Sequence, residues 1–310
     1  MIDCLTSVLA ATDGSEDATL AVRVAADLSN RNGPALHVVH TWRRPTFLGL
    51  PLEKAAEGSS YAREEAERLL EEQAEQARAA GGTVAGVHLR EGRPAEEIFE
   101  LARELGVGLV VVGSRGLGAV KRLIVGSVSE GVVDLAPCPT LVVRGGEGAW
   151  PPSRLVVGDD GSEEARRAGE LAAGMGKLFG ARALLIRVYP SVPVFKARRI
   201  VHLRASGEVL KSGERSLEER AAELEGVLGM RPETRVASGD AAAVHQEMAK
   251  EDAPPALVAV GRRGLGAVRY STLGGVSADV LRSVAGSVLI VPSPREESGP
   301  AYNDSRGEEE

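Results

Sequence analysis

The chain carries one glycine-containing segment twice. Residues 110–143 read VVVGSRGLGAVKRLIVGSVSEGVVDLAPCPTLVV, and residues 258–291 read VAVGRRGLGAVRYSTLGGVSADVLRSVAGSVLIV. Gly113, Gly116 and Gly126 recur without a gap as Gly261, Gly264 and Gly274, each 148 positions on. The starts of the halves repeat too. SVLAATDGSE from Ser7 stands against LVVGDDGSEE from Leu155, and Asp13 is matched by Asp160 at an offset of 147. So long a gapless match requires a fold that one unit can build twice. The 310 residues divide into two units of about 150, an ordinary domain size.

Within the first half, apolar runs near Ser7–Ala11, Ala35–Thr41, Thr83–Arg90, Gly108–Val112 and Thr140–Val143 alternate with helical patterns. Those patterns lie near Asp17–Arg31, Tyr61–Ala80, Ala95–Leu105 and Val128–Leu135. Runs that are apolar throughout read as parallel strands buried on both faces. The second half runs parallel, with strands near Arg154–Gly158, Ala183–Val188, Glu233–Ala237, Ala256–Val260 and Ser287–Val291. Its helices are placed near Glu163–Phe179, Glu214–Leu228, Ala241–Lys250 and Val276–Val284. The alternation predicts an α/β protein of two tandem doubly wound domains, each a mostly parallel sheet flanked by helices. The domains are taken as 1–146 and 153–293, joined by the Gly- and Pro-rich stretch Gly145–Ser153. Residues 294–310 are polar and acidic and are expected to be a disordered tail. Arg43–Ser59 and Pro190–Ala205 read as loops over the two sites.

Composition narrows the function classes. Aromatics make up only 3% of the chain, so Val, Leu, Ile and Ala must fill the cores. A formal net charge of −7 argues against a general nucleic-acid binder. The two cysteines, Cys4 and Cys138, lack the spacing of a metal or dithiol site, and Cys138 reads as structural. The start of the chain has no signal-peptide pattern, and no run reaches the ~18 apolar residues of a membrane span. A cytoplasmic protein without membrane or nucleic-acid partners is expected.

The chemistry is expected where each glycine motif follows a strand and opens a helix. Glycines let a ligand approach the backbone, successive N–H groups form an anion nest, and a helix N-terminus adds unpaired donors. In the first half these are Gly113, Ser114, Arg115 and Gly116, then Gly126, Ser127, Val128 and Ser129, with the hydroxyls of Ser127 and Ser129 in reach of phosphate oxygens. The same residues have a second reading, because Ser127-Val-Ser-Glu130 is also a capping box. Asp13 and Asp160 end the first strand of each half, beside the glycine loop if strands one and four are neighbours. They contact a ribose or a phosphate-bound metal, or they form an Asx turn before the helix; both readings are open. A P-loop is absent, and the order G-x-x-G-x-G after the fourth strand is not a dinucleotide fingerprint.

The G-2x-G-9x-G-[ST] pattern at Gly113, Gly116, Gly126 and Ser127, together with the strand-ending Asp13, resembles the universal stress protein family, in particular its tandem two-domain members. The resemblance covers about residues 2–144 and 153–292. It implies a five-stranded parallel sheet of order 3-2-1-4-5 in each half and an ATP site at the switch point. By position it implies that Ala11, Thr12 and Asp13 line the ribose and adenine, and that Thr41 meets the adenine through its backbone. Gly113 to Gly116 would then run beside the ribose and α-phosphate, and Gly126 to Ser129 would hold the β- and γ-phosphates. It also implies pairing of the two halves through their last strands as a pseudo-dimer, with a homodimer as a further possibility. The second half departs from the pattern. Asp160, Val188, Gly261, Gly264, Gly274, Val276 and Ser277 keep their places, but Gly275 stands where Ser127 does, and Arg262 and Arg263 sit in the loop. Those arginines either attract a phosphate or face solvent. A hydroxyl contact to a charged group contributes about 1.5–3 kcal/mol, so the second half is expected to bind ATP more weakly.

Three function classes remain. The first is an ATP-binding stress-response module without efficient catalysis. The second is a slow ATPase or phosphotransferase. The third is a scaffold with lapsed sites. Arg115, Lys121, Arg122, Arg262 and Arg263 are the cations near the loops, and His40, at the end of the second strand, is the nearest candidate base. A metal is expected only as Mg2+ or Mn2+ travelling with a triphosphate.

Overall fold

The computed structural model describes residues 5–45, 52–116, 125–145, 147–196, 199–203, 207–251, 256–263 and 273–293. The first half runs β1 (Ser7–Thr12), α1 (Glu16–Asn32), β2 (Ala35–Trp42), α2 (Leu52–Ala79), β3 (Val84–Glu91), α3 (Pro94–Leu105), β4 (Leu109–Gly113), α4 (Ser127–Leu135) and β5 (Thr140–Val143). The second runs β6 (Arg154–Gly158), α5 (Glu163–Phe179), β7 (Arg182–Tyr189), β8 (Val192–Lys196), β9 (Arg199–Leu203), α6 (Gly207–Leu228), β10 (Glu233–Ser238), α7 (Ala241–Lys250), β11 (Ala256–Gly261), α8 (Gly275–Ser283) and β12 (Ser287–Val291).

Ten of these strands form one sheet of order β10-β7-β6-β11-β12-β5-β4-β1-β2-β3. Each half has the order 3-2-1-4-5, parallel throughout. The halves meet where β12 pairs antiparallel with β5, in the register Thr140↔Ile290, Leu141↔Leu289 and Val142↔Val288. The short strands β4, β5, β6, β11 and β12 are buried at every position. Of these, β5 and β12 would present apolar edges in separate halves, and pairing them covers both. The outermost strands β3 and β10 hold only exposed and half-buried residues, as edges do.

Both halves open their first helix with the same device. Gly14 and Gly161 take the left-handed conformation (φ +78° and +87°), which lets the chain turn sharply out of the strand. Asp13 Oδ1 accepts from the Ser15 N–H and Asp160 Oδ1 from the Ser162 N–H, both at 3.0 Å. Ser15 and Ser162 then cap α1 and α5.

Two helices begin earlier than the sequence pattern predicts. α2 runs through Gly58-Ser59-Ser60, and α6 starts at Gly207 rather than Glu214. A helical glycine costs about 1 kcal/mol, which packing outweighs. At Gly213 the missing side chain is what the packing needs, since a Cβ there would lie 2.4 Å from the Tyr189 hydroxyl. Pro190–Ala205 is not simply a loop either. It contains the antiparallel hairpin β8–β9, paired from Val192↔Leu203 to Lys196↔Arg199. Cys138 behaves as a structural residue, its thiol pushed up to about 12 by burial. The loop expected over Arg43–Ser59 is helical from Leu52 onward, and Cys4, residues 46–51, Lys121, Arg122, Gly264 and the 294–310 tail lie outside the described residues.

Candidate functional site

β1 lies between β2 and β4, with Ala11 opposite both Val39 and Val112. Successive connections leave β1 in opposite directions, so a crevice opens at the carboxyl ends of β1 and β4. Asp13 follows β1, and Gly113 to Gly116 end and follow β4, which places them at this end of the sheet, while Ala11, Thr12 and Ser114 are buried. Thr41 sits near the end of the neighbouring β2. A Cβ built on Gly116 would lie 2.4 Å from Asp13 Oδ2, so the strand-ending carboxylate and the second motif glycine are in direct apposition. Asp13 therefore makes the Asx turn with one oxygen while its other faces the glycine loop, so of the two sequence readings the Asx turn is the one seen.

The first glycine of each motif has a packing role. A Cβ on Gly113 would lie 2.6 Å from the Ala18 nitrogen and the Asp17 carbonyl carbon, and one on Gly261 would lie 2.7 Å from Glu164 Cβ. These glycines let β4 and β11 run under the first turns of α1 and α5. Gly113→Ala is expected to cost about 1–3 kcal/mol through overpacking, visible as a fall of several degrees in Tm. An unchanged Tm would show that α1 moves aside freely.

The loop closes where the Gly126 N–H donates to the Ser114 carbonyl at 2.8 Å. α4 then starts with Gly126 as its N-cap and no side-chain cap, so the capping box with Ser127 as cap does not form. α8 starts likewise at Gly274 without a side-chain cap. The first N–H groups of α4 and α8 are thus left for solvent or a ligand, whereas α1, α5 and α7 carry Ser15, Ser162 and Asp240 as caps.

Several side chains expected at the site are committed elsewhere. Ser129 is 4% exposed, and its hydroxyl donates to the Gly113 carbonyl at 2.6 Å. Ser277 does the same to Gly261 at 2.7 Å. These hydroxyls tie the helix start to the strand end and do not reach outward to a phosphate. Ser114 is buried and accepts from Arg144 Nε at 2.8 Å. Arg115 pairs with the buried Asp17 at 3.0 Å. Arg262 neither attracts a phosphate nor faces solvent. It reaches across the halves to the carbonyls of Asp134 and Ala136 at the end of α4, at 3.2 and 3.0 Å. Burial pushes its guanidinium below the ordinary arginine value. His40 donates Nδ1–H to the Thr12 carbonyl at 2.8 Å.

In the second half a cavity of about 480 Å3 occupies the equivalent crevice. It is lined by Asp159, Asp160, Ile186, Val188, Val260, Gly261, Arg263 and Gly274 to Ser277, together with Gly158, Ala241 and His245. The surroundings differ from the first half in ways the motif does not announce. Thr12, with its hydroxyl donating to Gln73 Oε1 at 3.2 Å, stands 147 positions before Asp159. Asp159 is buried and pairs with Arg187 and, at 3.6 Å, with Arg220. Arg187 and Arg220 occupy the places of His40 and Gln73 at the same offset. Where the first half has a Thr12–Gln73 hydrogen bond, the second has a buried ion-pair cluster. Among the described residues no group of three or more His, Cys, Asp or Glu could hold a metal ion, and no helix is long and apolar enough to cross a membrane.

A family model described as the universal stress protein family matches residues 5–144 and again 152–292. A universal stress protein of Thermus aquaticus is 40% identical over 144 residues, covering 44% of this chain and 98% of that protein. The universal stress protein YxiE of Bacillus subtilis is 34% identical over 145 residues, covering 44% and 97%. Each spans one half. The crystal structure of a universal stress protein from Archaeoglobus fulgidus superposes with a TM-score of 0.69 at 23% identity, covering 93% of this chain and 98% of that one, a likeness of fold.

Proposed function

The chain belongs to the universal stress protein family, in two copies, and from that premise we propose that it is an ATP-binding regulatory protein of the stress response whose bound state, not turnover, is its output. The observation that carries this reading is the apposition of Asp13 and Gly116 at the switch point, in front of the uncapped start of α4. Ala11 to Asp13 and the backbone of Thr41 would take the ribose and adenine. The backbone of Gly113 to Gly116 would run beside the α-phosphate. The N–H groups of Ser127, Val128 and Ser129 would take the outer phosphates, with the exposed Ser127 hydroxyl beside them. ATP supplies the charge that such donors read, and Mg2+ or Mn2+ would accompany it.

The absence of efficient catalysis is supported by the engagement of the nearest candidates. Hydrolysis needs an oriented water and usually a base or an arginine clamp. Arg115 is held by Asp17, and His40 by Thr12. In the second half Gly275 offers no hydroxyl and Arg262 turns away, which supports weaker ATP binding there. The β5–β12 ladder supports a pseudo-dimer of the two halves. A cytoplasmic location agrees with this role.

The test is the nucleotide content and turnover of the purified 310-residue chain. ATP retained intact and not hydrolysed over hours with Mg2+ is expected. Steady release of ADP would establish the ATPase reading instead. A chain that neither retains nor binds ATP in calorimetry would leave the scaffold.

A further inference from the structure

One buried polar atom beside the second-half cavity plays no part in the contacts proposed for ATP. His245, on α7, is 4% exposed and lines the cavity. Its Nδ1 lies 2.6 Å from the Ala241 carbonyl one turn earlier. A carbonyl only accepts, so Nδ1 carries the proton. Burial holds the ring below the ordinary histidine value, which keeps it neutral near pH 7. Nε2 is then a bare lone pair, with no hydrogen-bond partner among the described residues. A buried acceptor left unmatched is destabilising, so its placement calls for a partner.

The chain has made room for this ring. A Cβ built on Gly158 would lie 2.5 Å from His245 Nε2, so the imidazole fills the space that a side chain at 158 would occupy. In the first half the places 147 positions earlier hold Ala11 and Ile98, both buried in one aliphatic cluster. The first half has no polar atom at this point. The second exchanges two aliphatic residues for a glycine and an acceptor.

The cavity lining is mixed in character. It includes Ile186, Val188 and Val260, which suit a flat ring, and the uncapped start of α8, which suits an anion. We propose that His245 is a specificity-determining residue of the second half, accepting a hydrogen bond from a ring N–H donor such as the 6-amino group of a purine nucleotide whose phosphates lie at α8. This rests on reading both crevices as nucleotide sites. A ring presenting only lone pairs toward His245 would set acceptor against acceptor. The two halves would then differ in what they accept, and not only in how tightly they bind.

The test uses the full chain carrying Gly116→Val, which blocks the first-half nest, with two probes: ATP and purine riboside triphosphate, which lacks the 6-amino group. ATP is expected to bind about tenfold more tightly, as one buried hydrogen bond implies. His245→Ile, which installs the first-half residue, should erase that preference, and His245→Gln, which keeps an acceptor, should retain part of it. In 15N spectra of the histidine ring, Nε2 should be the unprotonated nitrogen and should shift with ATP but not with the analogue. Equal affinity for both probes, or a preference that survives His245→Ile, would overturn the proposal. So would failure of the Gly116→Val chain to bind either probe. In that last case the wild-type chain decides separately whether the first half binds ATP.

Discussion

Gly116→Val is expected to weaken ATP binding to the first half by about a hundredfold or more, close to 3 kcal/mol. The reason is local. A Cβ at this position falls 2.4 Å from Asp13 Oδ2, and valine adds two methyl groups to it. The carboxylate must swing away from the crevice, and the methyl groups occupy the space in front of the backbone donors. The fold should tolerate the change, because what yields is the end of a side chain, not backbone. Gly113→Ala is the contrast: its Cβ would press on the backbone of α1, so its effect belongs to stability. Calorimetry with Mg2+ and thermal unfolding on both variants separate the roles. Full ATP affinity in a folded Gly116→Val chain would show that the Asp13–Gly116 crevice is not where the nucleotide sits.

This separation of two neighbouring glycines could not be read from their spacing. The sequence pattern placed Gly113 and Gly116 at one strand end, and both qualified for close approach of a ligand. Only the position of α1 over β4 shows that the first glycine admits a helix. Ser129 and Ser277 illustrate the same limit. A hydroxyl two residues into a helix has one sequence signature whether it faces a phosphate or, as here, the carbonyl of the preceding strand. The strands themselves were legible because buried parallel strands are apolar throughout and the pattern repeats between the halves, whereas their order 3-2-1-4-5 came only with the family resemblance. The differences between the halves were legible in principle too. Once the offset of 147 is carried past the motif, Thr12, His40, Gln73 and Ile98 face Asp159, Arg187, Arg220 and His245. Those exchanges mark where the second crevice has changed its chemistry, and a search confined to glycines and hydroxyls passes over them. What no local pattern encodes is a contact made across β5 and β12, and Arg262 was misread for that reason.

Arg144 makes that contact from the other side, and Arg144→Met is expected to destabilise the protein by about 2–4 kcal/mol, lowering Tm by roughly 5–10 °C. The side chain is 5% exposed. Its Nε donates to Ser114 Oγ at 2.8 Å, its Nη2 to the Leu281 carbonyl at 3.0 Å and its Nη1 to the Val284 carbonyl. A guanidinium from the first half thus satisfies the last carbonyls of α8 in the second, where a cation also complements the helix dipole. Arg262 does the same for α4 in the reverse direction, so each half closes a helix of the other. Methionine fills similar volume but leaves those carbonyls unmatched away from water. Relief of the cost of burying the charge, which pushes the Arg144 guanidinium below its ordinary value, offsets part of the loss. The control is Arg282, which pairs with Glu130 across the same seam at 3.0 Å but is 57% exposed. Arg282→Met should shift Tm by no more than a degree or two, because an exposed pair contributes little. Equal effects from the two substitutions would mean that charge across the seam, not the buried hydrogen bonds, holds the halves together.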